Sequence, residues 1–168
     1  MKKRVTMYWL IPTKTESELF REIIRILAKQ FDAPLFVPHL TLCRAEDANA
    51  AAKMLSRFRS APVSLRIRGI THSAKFTKTL FVWFTPSKSL ERLIIELGGK
   101  PKELTDPHLS LLYKKLPPTI RRDLAGAVKL PFRAVTFDSI MAMSCVSSTE
   151  TKRDVESWRK LATKRLSG

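Results

Sequence analysis

Hydrophobic and polar residues alternate along several short segments of the chain. In residues 63–70, apolar side chains occupy every second position from Val63 to Ile67. Arg66 and Arg68 lie on the other face of this segment. Alternation with a period of two is typical of a β-strand that buries one face. Similar runs, bounded by proline, glycine and polar residues, predict strands over residues 4–11, 39–43, 79–85 and 108–113, and one or two strands over residues 132–146.

Other segments carry apolar residues with the spacing of a helix. Residues 17–31 place them three or four positions apart, from Leu19 to Phe31. This spacing predicts an amphipathic helix, with Thr15 or Ser17 as its N-cap. Further helices are predicted over residues 48–58, 87–97 and 119–128.

The predicted elements occur in a repeated order. The series β-α-β-α-β appears twice, and residues 154–166 follow as a segment that fits a strand or a helix. A repeated order of this kind indicates one supersecondary unit used twice. The length of residues 1–168 fits one domain of ordinary size, or two small lobes that share one core.

Two of the three histidines lie in nearly identical pentapeptides. Residues 38–42 read Pro-His-Leu-Thr-Leu, and residues 107–111 read Pro-His-Leu-Ser-Leu. The histidines, His39 and His108, are 69 residues apart (108 − 39), close to half of the 168-residue chain. Composition alone produces such a second copy with a chance below about one in a thousand. The third histidine, His72, lacks the flanking leucines and is assigned no role.

Each copy of the motif has a definite geometry on a strand. Because side chains alternate, His39 and Thr41 share one face, as do His108 and Ser110, while the leucines point to the other face. If a pseudo-twofold axis relates the two halves, both imidazole–hydroxyl pairs face one cleft. Hydroxyls donate to phosphate oxygens and imidazoles move protons, so the pattern indicates a phosphate site.

The two motifs resemble the signature of the 2H phosphoesterase superfamily. Within it, the chain is most similar to the cyclic phosphodiesterases of the plant and yeast type. The similarity rests on residues 36–42 and 107–113, on the opening strand with Trp9, and on residues 155–158. The resemblance implies a bilobal α+β fold. Its two antiparallel sheets would be related by a pseudo-twofold axis and backed by helices, with the active cleft between them.

The resemblance also implies an activity. It is the hydrolysis of nucleoside 2′,3′-cyclic phosphates or of ADP-ribose 1″,2″-cyclic phosphate, with no metal and no cofactor. By analogy with the family, His39 would be the acid and His108 the base. Thr41 and Ser110 would hold the phosphate.

Two aromatic residues, Tyr113 and Trp9, would line the nucleotide side of the cleft by the same resemblance. Tyr113 lies five residues after His108, so it reaches the cleft only if the strand ends or twists before it. Trp9 shares an apolar face with Val5 and Ile11, and packing in the core is an equal alternative for its role.

The chain is strongly basic. Its 31 Lys and Arg residues outnumber 15 Asp and Glu residues, which gives a net charge of +16. Such a surplus favours anionic partners, so RNA is a candidate, with Arg66, Arg68 and residues 152–165 as contacts. No apolar run approaches the roughly 18 residues that span a bilayer, and no membrane partner is expected. Two cysteines, Cys43 and Cys145, cannot form a disulfide framework, so a reducing cytosol is the expected compartment. The protein is expected to be a monomer.

Several other functions compete with this interpretation. A metal-dependent hydrolase is poorly supported, because Asp106 beside His108 is too small a ligand set. The chain also has no glycine-rich phosphate loop and no Gly-x-Ser-x-Gly turn. Two alternatives stay open. One is an enzyme for RNA 2′,3′-cyclic phosphate ends or for 2′,5′-linked or cyclic oligonucleotides, and the other is a non-catalytic RNA-binding module.

Overall fold

Antiparallel strands dominate the computed structural model, which describes residues 2–167. In that range the strands are β1 (Arg4–Pro12), β2 (Leu40–Arg44), β3 (Val63–His72), β4 (Leu80–Phe84), β5 (His108–Leu112), β6 (Ala134–Val146) and β7 (Arg159–Arg165). They form one sheet in the order β1-β2-β5-β4-β3-β6-β7, with a further pairing between β1 and β6. Together with the helices, this sheet confirms the α+β class predicted from the sequence.

Helices connect most of the strands. They are α1 (Lys14–Phe31), α2 (Ala48–Arg57), α3 (Lys88–Glu96), α4 (Pro118–Ala127) and α5 (Lys152–Glu156), with 3₁₀ turns at Phe76–Lys78 and Pro101–Glu103. Asp47 and Ser87 cap α2 and α3, since their side chains accept hydrogen bonds from the backbone N–H groups of Ala50 and Leu90. These caps satisfy N–H groups that have no partner within the helix, and they explain where both helices begin.

The N-cap of α1 is Thr13, so the sequence-based choice of Thr15 or Ser17 was wrong. Ser17 instead donates its hydroxyl proton to the backbone carbonyl of Pro12, at 2.9 Å. This bond ties the first turn of α1 to the last residue of β1. The helix therefore starts directly after the strand, earlier than the apolar spacing indicated.

The two halves of the chain pair their strands in the same way. β1 pairs with β2 and β6, and β4 pairs with β5 and β3. The sets β6-β1-β2 and β3-β4-β5 are therefore equivalent. They join where β2 meets β5, at Leu40 and Leu109, and where β3 meets β6. The third strand of the first half, β3, thus pairs with β4 of the second half, and the third strand of the second half, β6, pairs with β1 of the first half. The two expected sheets are joined into one.

The end of the chain contains both kinds of element that the sequence left open. β6 is one strand of 13 residues. In the segment after it, the hydroxyl of Thr151 accepts from the N–H of Asp154, whose carboxylate accepts from the N–H of Thr151. This reciprocal cap starts α5. β7 follows and pairs with β6.

The leucines of the two motifs anchor the sheet to its core. Leu40, Leu42, Leu109 and Leu111 are buried in the main hydrophobic cluster. Because alternate residues of a strand point to opposite faces, the polar residues between these leucines point away from that cluster. The fold therefore directs the polar residues of both motifs to the same face of the sheet.

Candidate active site

The two motif histidines adopt the same pose. The Nδ1 atom of His39 lies 2.6 Å from the carbonyl oxygen of Val37. The Nδ1 atom of His108 lies 2.9 Å from the carbonyl oxygen of Asp106. In both cases the carbonyl belongs to the residue two positions earlier. A carbonyl oxygen only accepts hydrogen bonds, so each Nδ1 carries a proton and the Nε2 of each neutral imidazole keeps a lone pair.

Both imidazoles line one cavity of about 380 Å³. Its walls come from β1, β2, β5, the loop before β4 and the end of β6. The cavity brings together the six residues selected from the sequence: Trp9, His39, Thr41, His108, Ser110 and Tyr113. The repeated motif thus converges on a single space.

Burial lowers the pKa of both histidines, to about 3 for His39 and about 4 for His108. For His39, burial lowers the pKa by more than the hydrogen bond to Val37 raises it. A positive charge on His108 would also lower the pKa of His39. For His108, burial is the main cause, followed by the charges of Lys78 and Lys75. Both imidazoles are therefore neutral near pH 7 in the free protein.

These low pKa values predict a loss of stability in mild acid. An unfolded histidine takes up its proton near pH ~6.5, whereas the folded protein resists protonation down to about pH 4 at His108 and about pH 3 at His39. The stabilisation is complete above pH ~6.5 and falls as the pH drops toward the folded values, by up to about 1.4 kcal/mol per pH unit for each histidine. Urea unfolding at several pH values between 6.5 and about 5 measures this decline.

The matched control is the double variant His39→Asn, His108→Asn, which keeps every carboxylate. Its free energy of unfolding is expected to decline less than that of the wild type over the same pH interval, because both titrating imidazoles are gone. An equal decline in the two proteins would show that the histidines do not titrate with folding.

Trp9 supports the imidazole of His39. The two rings stack with their centroids 3.5 Å apart and their planes 10° apart, and Trp158 meets both rings edge-on. Trp9 is only 2% exposed and packs with Met143 and Cys145 in a second apolar cluster. It is therefore a core residue that borders the cavity, and it holds the ring plane of His39.

Tyr113 borders the cavity because β5 ends at Leu112. Its side chain is thus released from the alternation of the strand, which meets the condition set by the sequence. The ring stacks on Phe36 with centroids 4.0 Å apart and meets Trp158 edge-on at 5.7 Å. Burial raises the pKa of Tyr113 above its usual range, so the phenol stays protonated.

The two motif hydroxyls differ in their contacts. Ser110 is buried and donates its proton to the backbone carbonyl of Thr77, at 2.7 Å. Thr41 is partly exposed on the wall of the cavity, opposite Trp9 in the register of β1 and β2. A phosphate can use the proton of Ser110 only after that bond to Thr77 breaks.

Known proteins resemble the chain in sequence and in fold. No protein-family model matches it. The chain is 27% identical over 178 residues to the cyclic phosphodiesterase of Arabidopsis thaliana, with 96% of this chain and 95% of the relative covered. E. coli LigT, in its complex with 3′-AMP, matches with a TM-score of 0.56, 17% identity and coverage of 98% and 99%. TT0787 of Thermus thermophilus matches with a TM-score of 0.58, 16% identity and coverage of 98% of both chains.

The chain is similar in sequence to a cyclic phosphodiesterase and in fold to LigT and TT0787, which are 2H phosphoesterases. This similarity confirms the resemblance drawn from the pentapeptides at residues 38–42 and 107–111. Each of these similarities extends over nearly the whole chain. The 2H phosphoesterase fold therefore accounts for both halves of the sheet.

The cavity has a cationic side that the motifs do not reveal. Lys75 and Lys78, from the loop between β3 and β4, line it. Lys78 forms an ion pair with Asp106, and its ammonium lies 4.7 Å from the ring centre of Phe81. Sequence reasoning missed both lysines because a loop has no periodicity. The signal that could have indicated a cationic partner near His108 was the carboxylate of Asp106, two residues before it.

Another part of the cavity wall is formed by the loop after β6 and by Trp158. The indole Nε1–H of Trp158 donates to the hydroxyl of Thr149, at 3.3 Å. This bond holds the indole near Trp9 and Tyr113. Trp9, Tyr113 and Trp158 therefore form one group of aromatic rings on the cavity wall.

The remaining polar groups named by the sequence lie outside this arrangement. His72 accepts a hydrogen bond at Nδ1 from Arg121, at 3.4 Å, away from the cavity. Cys43 and Cys145 are buried free thiols. In residues 2–167, no group of three or more His, Cys, Asp or Glu side chains could hold a metal ion. None of the described helices is long and apolar enough to cross a membrane.

Proposed function

We propose that this protein is a 2H phosphoesterase that hydrolyses nucleoside 2′,3′-cyclic phosphates, or ADP-ribose 1″,2″-cyclic phosphate, to a phosphomonoester. The Arabidopsis relative named cyclic phosphodiesterase supports the enzyme class, a phosphodiesterase hydrolase. LigT structures with 3′-AMP, ATP and NADP+ support a nucleotide as the substrate. Both motifs come from one chain, so the proposed enzyme acts as a monomer. The cytosol remains its predicted compartment.

The matching pose of the two histidines carries this proposal. In each, the Nδ1–H is held by a backbone carbonyl and Nε2 is the nitrogen left to react. Cleavage of a phosphodiester by water needs one group that accepts a proton and one that donates a proton. His39 and His108 have the same chemistry on one cavity, so the pair can supply both.

The proposed reaction moves two protons and exchanges one bond at phosphorus. A neutral imidazole accepts a proton from water at Nε2 as the water oxygen bonds to phosphorus. The bond between phosphorus and one ribose oxygen breaks, and the other imidazole, as imidazolium, gives its Nε2 proton to that oxygen. The product is a ribose phosphomonoester with a free neighbouring hydroxyl, and the histidines have exchanged protonation states.

The substrate itself helps to create the acid. Both imidazoles are neutral in the free protein, because burial lowers their pKa values to about 3 and about 4. A bound phosphate anion favours imidazolium and raises the pKa of a nearby histidine. Lys75 and Lys78 oppose a positive charge on His108. The pKa is nevertheless lower for His39 than for His108, so the assignment of His108 as the base and His39 as the acid rests on the analogy with the family.

The aromatic residues of the cavity suit the nucleoside. Tyr113 and Trp158 present rings there, and Trp9 lies beneath His39. Rings of this kind bind a nucleobase by stacking. Thr41 and Ser110 face the phosphate between the two histidines in this proposal.

Chelation is expected to leave the reaction unchanged. With EDTA in excess, the turnover of 2′,3′-cyclic AMP should match the turnover in untreated enzyme, because the proposed acid and base are imidazoles that need no metal. Phosphorus NMR on the same samples follows the phosphomonoester and assigns it as the 2′- or 3′-product. Loss of activity in EDTA, with recovery on adding a divalent ion, would contradict the metal-independent mechanism.

RNA ending in a 2′,3′-cyclic phosphate is the second candidate substrate. The net charge of +16 favours it, and so does the cationic side of the cavity at Lys75 and Lys78. The same two histidines would act on it, so this substrate changes what is bound and leaves the chemistry as described. A non-catalytic RNA-binding module would not need two matched imidazole poses.

A further inference from the structure

A second cavity of about 360 Å³ lies next to the first. Its walls include Arg68, Phe81, Trp83, Asp106 and Pro107. Phe81 also contacts His108 edge-on, with ring centres 5.4 Å apart. One aromatic side chain therefore borders the second cavity and touches the imidazole that lines the first.

Strand register extends the active face of the sheet to this cavity. Trp83 is the cross-strand partner of His108, and Phe81 is the partner of Ser110. Partners in an antiparallel pair project on the same face of the sheet. Trp83 therefore lies on the face that carries the second motif, one strand away, at a spacing of about 4.8 Å.

A β-bulge places Arg68 over Trp83. The register of β3 and β4 shifts between Ile67 and Gly69, so two residues of β3 oppose one of β4. The guanidinium carbon of Arg68 lies 4.1 Å from the centre of the Trp83 ring. A Cβ at position 69 would lie 3.3 Å from Nε1 of Trp83, so Gly69 leaves room for the indole to lie against the strand. The result is a planar cation held on an aromatic ring and exposed on its outer side.

We infer that the second cavity binds the nucleobase and phosphate of a second nucleotide, joined to the ribose that carries the scissile phosphate. Bases stack on aromatic rings and on arginine planes, and an arginine also pairs with phosphate. Arg68 offers both contacts from its position over the ring of Trp83, and Trp83 is one strand spacing from His108. This inference rests on the proposed function, because it takes the cyclic phosphate at the two histidines as its starting point.

Two substrates present this chemistry. In an RNA 3′ end, the second nucleotide is the one before the terminal cyclic phosphate. In ADP-ribose 1″,2″-cyclic phosphate, it is the adenosine joined through the pyrophosphate. 2′,3′-Cyclic AMP has one base and cannot occupy the second cavity while it reacts in the first. The inference thus separates two-nucleotide substrates from a mononucleotide.

The test compares kcat/KM for three substrates: 2′,3′-cyclic AMP, the dinucleotide ApA ending in a 2′,3′-cyclic phosphate, and ADP-ribose 1″,2″-cyclic phosphate. In the wild type, at least one two-nucleotide substrate is expected to exceed 2′,3′-cyclic AMP by about 10-fold, the effect of stacking one base. Arg68→Ala should remove most of that advantage, mainly through KM. Arg92→Ala, which removes the same charge from the exposed side of α3, should preserve it.

The substrates that lose their advantage identify the occupant. A loss for the dinucleotide supports RNA, and a loss for the ADP-ribose derivative supports its adenosine. Trp83→Leu is the second variant, since it keeps an apolar side chain against Gly69 and removes the ring that supports Arg68. It is expected to reduce the same advantage.

A binding experiment separates this inference from the proposed function. Calorimetry compares the dissociation constants of ApA 3′-phosphate and 3′-AMP. Tighter binding of ApA 3′-phosphate than of 3′-AMP, lost in Arg68→Ala, supports the second site even if the protein turns over no substrate. A lack of turnover would contradict only the proposed function. The second site would be overturned if the wild type bound both ligands with equal affinity and had equal kcat/KM values for all three substrates. It would also be overturned if Arg68→Ala and Arg92→Ala reduced the preference for two-nucleotide substrates equally.

Discussion

Replacement of either His39 or His108 with asparagine is expected to lower kcat/KM for 2′,3′-cyclic AMP at pH 7 by about 10²–10⁴-fold. Asparagine can still donate to the carbonyl of Val37 or Asp106, which now accepts from the imidazole. It cannot move a proton near neutral pH. The loss therefore reports proton transfer, and circular dichroism checks that each variant is folded.

A phosphodiester with a good leaving group tells the two roles apart, because such a group departs without an acid. On that substrate His39→Asn is expected to recover part of its activity, whereas His108→Asn stays inactive. The reverse result would exchange acid and base and leave the pair intact. Wild-type activity in either variant on 2′,3′-cyclic AMP would contradict the two-histidine mechanism.

Removal of the Thr41 hydroxyl is the second large effect. Thr41→Val is expected to lower kcat by about 10²–10³-fold, the usual result of losing one donor to a developing negative charge. Thr41→Ser is the matched control, since it restores the hydroxyl and should recover most of the rate. Kinetics on 2′,3′-cyclic AMP measures both variants.

Ser110→Ala, like Thr41→Val, is expected to lose less activity than either histidine variant. Its hydroxyl also holds the carbonyl of Thr77, in the loop that carries Lys75 and Lys78. The variant should therefore raise KM in addition to lowering kcat. If Thr41→Val and Ser110→Ala both left the kinetics unchanged, the phosphate would not lie between the two motifs.

The repeated pentapeptide made the centre of this site predictable. A five-residue strand motif carries its own geometry, because leucines at alternate positions direct His39 with Thr41, and His108 with Ser110, to the other face. The order of helices and strands followed from hydrophobic periodicity for the same reason. The local pattern of apolar and polar residues was sufficient to predict those parts of the structure that residues close in sequence determine.

Contacts between distant segments could not be predicted in this way. The pairing of Lys78 with Asp106 joins residues 28 positions apart, and the bond from Ser110 to Thr77 joins residues 33 apart. The stacking of Trp9 on His39 likewise depends on how β1 pairs with β2. Residues 154–166 were ambiguous because a five-residue helix and a strand follow each other without a break in polarity.

The exchange of third strands between the two halves has a mechanical consequence. β3 completes the strands around His108, and β6 completes those around His39, so neither wall of the cavity has a full set of neighbours without the other half of the chain. If one half unfolded, the other half would lose the strand that pairs with its own strands. We expect the protein to denature as one cooperative unit, in which the histidine pair is either whole or absent.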